Sequence, residues 1–208
     1  MHIHEKNLPL EKLLRIVNQF LPVIFWISVI FGFEEPKIGV ISIIAALIHE
    51  CGHVAFLRLK NAGSNGVRGV ISGFRIRSSS LLSYREEILL YLSGPLANIV
   101  AAIIFSLFRG ETAALLCTLN IATAISNLIP VEGYDGYGAL HTLAEQSNPG
   151  GICIRLLEIV SSVIIFSFCI LSIYFIDRFG SGYWIFAIFF ASMLRQLGKW
   201  LDNAKYDD

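Results

Sequence analysis

Apolar residues in this chain gather into six stretches, at positions 16–33, 38–59, 88–108, 112–129, 156–176 and 183–200, separated by polar intervals. Each approaches the ~20 residues that a helix needs to cross the hydrocarbon of a bilayer. The intervals at 34–37, 109–111 and 177–182 are so short that the stretches they join must run antiparallel. The pattern predicts an all-α polytopic membrane protein with six transmembrane helices. Residues 8–20 mix leucines with Glu11, Lys12, Arg15 and Gln19, as an interfacial amphipathic helix does. No small-residue cleavage pattern follows the first apolar run, so no cleavable signal is expected.

The interval 61–87 is too polar to cross. Its first residues, 61–66, are rich in Asn, Gly and Ser and signal a turn, and from Val67 to Ser78 apolar and basic residues alternate around Gly69 and Gly73. That is the pattern of a short β-hairpin between the second and third spans. It is equally the pattern of a solvated basic loop lying against anionic lipid.

Composition agrees with a membrane setting. Of the 208 residues, 55% are hydrophobic and 15% charged, with a mean hydropathy of +0.65, which is too apolar for a soluble domain and too short for several. The formal net charge is zero, so no nucleic-acid partner is expected. The distribution of that charge is more informative. Thirteen of the 16 lysines and arginines fall on one side of the six-span layout, leaving only Lys37, Arg109 and Arg178 on the other. By the positive-inside rule both termini face the cytoplasm. Cys51, Cys117, Cys153 and Cys169 show no paired spacing, so they read as small apolar fillers and not as a disulfide framework or a metal site.

Against this apolar background, the second stretch contains His49, Glu50 and His53. Histidines four apart on a helix lie one above the other, about 6 Å apart along the axis, so both rings can reach one metal ion. Glu50, beside the first, can then take a proton from a water that the metal polarises. This is the H-E-x-x-H arrangement of zinc hydrolases. Ionisable groups inside hydrocarbon are rare unless they have a function, which favours a metal site over histidines that merely hydrogen-bond within the bundle. Cys51, about 200° around the helix from each histidine, points away from the metal and reads as a packing residue. His49 precedes Arg58 by nine residues, which sets the metal roughly 13 Å below the cytoplasmic surface.

A catalytic zinc takes three protein ligands and leaves a position for water. The candidate third ligand is Asp135, reached through Asn127, Pro130 and Gly133, where proline and glycine break the fourth span. Irregular backbone at membrane depth is tolerated where it is buried in protein or lines a cavity. Taken alone, the stretch reads more readily as a proline-glycine loop with a solvated aspartate.

Three motifs together go further. His49-Glu50-x-x-His53, then Ser93-Gly94-Pro95-Leu96-Ala97-Asn98, then Asn127-x-x-Pro130-x-x-x-x-Asp135-Gly136 resemble, in order and spacing, the site-2 protease family of intramembrane zinc metalloproteases. The resemblance covers residues 38–138, the family's three-helix catalytic core. It implies one Zn2+ per chain on His49, His53 and Asp135, with Glu50 as general base. It also implies that Asn127 and Pro130 shape the substrate cleft, that Gly94 and Asn98 support substrate binding, and that 67–78 is a membrane-reentrant hairpin. The sequence departs from the family after Gly136, where Tyr137 and Gly138 stand in place of its glycine and arginine. His141 reads as a loop or interface residue.

The expectation is one membrane-embedded metalloprotease domain over 1–208, with no PDZ or CBS domain. The layout resembles the branch that processes sporulation sigma-factor precursors. The implied function is hydrolysis of a peptide bond in or near a transmembrane segment of another membrane protein, in regulated intramembrane proteolysis. The implied substrate is a membrane-bound transcription-factor precursor or an anti-sigma factor, with an inhibitory membrane partner, in a bacterial cell membrane. Two alternatives stand beside it. One is a metal-binding transporter or scaffold without hydrolysis. The other is a prenyl-protein-type membrane metalloprotease, whose third ligand would be a downstream glutamate such as Glu145 or Glu158.

Overall fold

The computed structural model describes residues 35–60, 64–70, 73–78, 82–147, 151–179 and, between 189 and 198, all but positions 191 and 195; for 64–70 and 73–78 it describes the backbone alone. Helix α1 spans Pro36–Leu59, strands β1 and β2 span Ser64–Val70 and Gly73–Ser78, and helices α2 to α5 span Tyr84–Ser106, Glu111–Leu128, Asp135–Ser147 and Ile152–Phe179.

The helix starts follow from local chemistry. Pro36 opens α1, where its missing amide costs nothing and its fixed φ already suits a helix. Ser83 caps α2 in a reciprocal box, its hydroxyl accepting from the Glu86 amide while the Glu86 carboxylate accepts from the Ser83 amide at 3.1 Å. Lys37 at the head of α1 reaches Glu111 at the head of α3 at 2.8 Å, so these two helices begin at the same end of the bundle. The hydrogen bond from that ammonium holds the Glu111 carboxyl below the usual carboxylate range. At the opposite end Lys60 pairs with Glu86 at 3.2 Å, joining the end of α1 to the start of α2.

Helices α1, α2 and α3 pack together, and α4 lies against α2. The first two cross closely. A Cβ on Gly52 would collide with the Ser93 carbonyl and come within 3.0 Å of the Gly94 Cα. The second packing centre lies elsewhere. Val131, fully buried, sits among Ile165 and Cys169 of α5 and Phe189, with Ile129, Tyr134, Ile164, Phe168 and Met193 around it.

The expected fold class needs correction. Among the described residues three helices, α1, α2 and α5, are long and apolar enough to cross a membrane, which is consistent with the expected polytopic helical layout. The fourth expected span is α3, an 18-residue helix that carries Glu111, Asn120 and Asn127 and is not among the three. The expected spans at 16–33 and, for the most part, 183–200 lie outside the described residues. The loop expected around Asp135 is short, because a helix begins at Asp135 itself. The expected hairpin is no layer of the fold: β1 and β2 pair antiparallel, with Val67 opposite Ile76 and Arg68 opposite Arg75, as an isolated two-stranded ribbon, which is marginal in itself. The architecture of the described residues is helical.

Cys51 also differs from expectation. It is exposed, lining an open apolar hollow of about 390 Å³ along the seam of α1 and α2 with Ile44, Leu47, Ile48, Gly52, Ala55 and Ala97.

Candidate metal centre

His49 and His53, one turn apart on α1, turn their rings edge to face, with centroids 4.8 Å apart and planes at 86°. Both are buried. The Nε2 atoms lie 3.2 Å from each other. Asp135, at the first position of α4, brings its Oδ2 to 2.9 Å from His49 Nε2 and 3.3 Å from His53 Nε2. The three residues form one group of metal-ligating type.

Backbone carbonyls determine which ring nitrogen carries the proton. The Leu116 carbonyl can only accept, so the Asn120 amide nitrogen faces it at 2.8 Å and the Asn120 oxygen faces Asn98. Asn98 must then present its nitrogen there at 2.8 Å and to the Ala45 carbonyl at 2.9 Å, which uses both of its N–H groups. Its oxygen is left for His49 Nδ1 at 2.9 Å, so Nδ1 is the protonated nitrogen. His53 Nδ1 faces the Leu90 carbonyl at 2.8 Å, another pure acceptor, with the Ser93 hydroxyl at 3.2 Å. In the neutral form of each ring, the form that binds a metal, Nε2 then holds a bare lone pair.

With both rings neutral, three acceptors, two lone pairs and a carboxylate oxygen, converge within 3.3 Å. Asp135 Oδ2 is buried with no hydrogen-bond partner, and so is Glu50 Oε2. Buried acceptors held in mutual contact are strongly unfavourable unless a cation is shared among them. The spacing tests which cation. Tetrahedral zinc with bonds of ~2.0–2.1 Å separates its ligand atoms by about 3.3 Å, close to the distances found here. Two imidazole nitrogens and one carboxylate oxygen are also a zinc donor set, with second partners behind each imidazole as metal sites require. The residues fit the ion.

Gly94 makes room for this arrangement. A Cβ there would lie 2.5 Å from His53 Nε2 and 2.7 Å from His49 Cε1, inside both rings. Asn98, expected to support substrate binding, stands behind His49, fully buried, with its amide committed to His49, Ala45 and Asn120. Asn127 bonds the Thr123 carbonyl of its own helix at 2.9 Å and is half-buried, as is Pro130 at the end of α3. His141 stacks on Tyr137 at 5.8 Å and lies 3.6 Å from Glu145, outside the metal group.

Reading the sequence missed Asn120. It sits seven residues before Asn127 on an apolar helix, and an isolated amide amid hydrocarbon was the signal available.

No protein-family model matches the chain, and no curated protein matches it. Among solved structures the chain is similar to one described as Site-2 Protease from Methanocaldococcus jannaschii. The TM-score is 0.61 and the identity 12%, over 85% of this chain and 88% of that one. Likeness at that identity is likeness of fold. The chain has the fold of a site-2 protease, the family its three motifs resemble.

Proposed function

We propose that this protein is an intramembrane zinc metalloprotease that hydrolyses a peptide bond in or near a transmembrane segment of another membrane protein. The observation that carries the reading is the convergence of three metal-ligating atoms, His49 Nε2, His53 Nε2 and Asp135 Oδ2, beside a carboxylate with a buried oxygen that has no hydrogen-bond partner. Zinc on these residues would supply Lewis acidity, acidifying water and polarising the scissile carbonyl. Glu50 takes the proton from the attacking water on its carboxylate and returns it to the departing amine nitrogen. Asn98 and the Leu90 carbonyl hold the two imidazoles in the tautomer that leaves Nε2 free. Asn127 and Pro130, where α3 ends, shape the cleft that receives an unwound segment of substrate.

In this reading the chain is a single domain in a bacterial cell membrane with both termini cytoplasmic. It acts in regulated intramembrane proteolysis on a membrane-bound transcription-factor precursor or an anti-sigma factor, restrained by an inhibitory membrane partner. The site argues against the prenyl-protein-type alternative, because the carboxylate at the histidines belongs to Asp135, while Glu145 lies beside His141. The test is purification of the wild type and Glu50→Gln with zinc quantified, alongside co-expression with a membrane substrate. Zinc in both proteins with cleavage by the wild type alone is expected. Zinc without any cleavage would leave a metal-binding scaffold, and cleavage by Glu50→Gln at the wild-type rate would remove Glu50 as the base.

A further inference from the structure

Asp135 differs from the two histidines in how it is held. The backbone before it has left one helix and not yet entered the next. Ile129 is extended, at φ −63° and ψ 134°, and Pro130 has no amide. Two tight hydrogen bonds, Val131 to the Ile129 carbonyl at 2.8 Å and Tyr134 to the Val131 carbonyl at 3.0 Å, turn the chain, with Gly133 at φ 102°. Between them the Glu132 amide points out of the turn. It donates to the Ser161 hydroxyl oxygen of α5 at 3.1 Å.

Ser161 is fully buried in the middle of an apolar helix. Its hydroxyl also meets the Gln196 side-chain amide at 3.0 Å, and the other end of that amide lies 3.1 Å from the Ser162 hydroxyl, whose one proton goes to the Glu158 carbonyl at 2.8 Å. A buried side-chain network in an apolar bundle is costly to leave half-made, so each group restrains the others. Val131, next to Glu132, is fully buried against Ile165, Cys169 and Phe189. One polar clamp and one apolar plug therefore fasten the segment three residues before the carboxylate.

We infer that Ser161 and Gln196 are positioning residues for the third metal ligand, holding the Asp135 turn in register with the histidine pair on α1. The inference rests on the metal reading proposed above. Ser161 touches no reacting atom; it acts through the Glu132 amide. A ligand displaced by a fraction of an ångström weakens binding, and outer partners of metal ligands typically govern roughly 10–100-fold in affinity.

The full chain, purified in detergent and stripped of metal, tests this by Zn2+ competition with a chromophoric chelator and by the visible spectrum of Co2+ added in its place. Ser161→Ala should bind zinc roughly tenfold or more weakly and shift the cobalt bands, alongside a lower metal-free unfolding midpoint from the partner that the Glu132 amide and Gln196 lose. Ser161→Thr, which keeps the oxygen, should restore affinity to within about twofold of wild type by the same reasoning. Wild-type zinc affinity and cobalt bands in Ser161→Ala overturn the inference. So does a lowered metal-free midpoint with unchanged bands, which is the mark of a merely structural serine. If Ser161→Ala does not fold, Gln196→Met decides: a severalfold loss supports the clamp, and wild-type affinity overturns it. A wild type that binds neither metal sinks the metal reading and this inference together, whereas a binding wild type matched by the variants sinks this inference alone.

Discussion

The two halves of the site are held by opposite means. The histidine half is built on one helix. The separation of His49 and His53 is set by helical geometry, and what remains, the ring orientation, is settled by buried groups on α2 and α3, namely Asn98, Asn120 and the Leu90 carbonyl. The carboxylate half hangs on a turn where backbone bonds are missing, and it is steadied from α5 and Gln196 through Ser161 and through the packing of Val131. A helix-borne ligand needs only its rotamer held. A turn-borne ligand needs its backbone held as well, and the groups that do so lie far along the chain.

The sharpest way to separate chemistry from ligand-holding is Glu50→Gln. Cleavage should fall by about 10²–10⁴-fold while zinc content stays at the wild-type level, read by rate assay and metal analysis. Next in size is a blow to the helix-built half. Gly94→Ala places a methyl group inside both imidazoles, and zinc affinity should fall about 100-fold, measured by chelator competition, while Gly110→Ala, where a Cβ meets nothing but φ is +117°, should leave the affinity alone. If Gly94→Ala binds zinc as the wild type does, the rings are not held where they are described.

A smaller effect tests the amide relay. Asn98→Ala should cost roughly 10–100-fold in zinc affinity and Asn120→Ala less, because Asn120 acts on His49 only through Asn98. Equal losses would place Asn120 in direct control of the ligand. Smallest is Val131→Ala on the turn-borne half, which should destabilise the protein by about 2 kcal/mol through the cavity left by two methyl groups, read as a lower unfolding midpoint in detergent. Saturating zinc at about 100 times its Kd should raise that midpoint by the equivalent of about 2.7 kcal/mol, and a chelator should abolish the rise.

The histidine pair was legible in the sequence because i and i+4 are neighbours on any helix, whatever surrounds it. Apolar runs likewise announced α1, α2 and α5, since a bilayer imposes length and composition locally. The fourth apolar run folds as α3, and its Asn120 and Asn127 make it the most polar of the helices that the apolar pattern announces. Asp135 was legible only by its motif, as a proline-glycine stretch looks like any loop until a partner is known. Asn98, expected to support substrate binding, has its amide committed to His49, Ala45 and Asn120, a set of partners that no spacing in the sequence announces.

What the amino-acid sequence determined by itself is whatever depends on near neighbours: the helical runs, the paired imidazoles, the carboxylate beside them and the break after Ile129. Tertiary structure alone decided that Asp135 meets those imidazoles, that Asn120 sets the His49 tautomer through a residue 22 positions away, and that Ser161 catches an amide 29 positions away. Hydrogen bonds over such separations leave no periodicity in a sequence, because their geometry exists only once packing has brought the helices together.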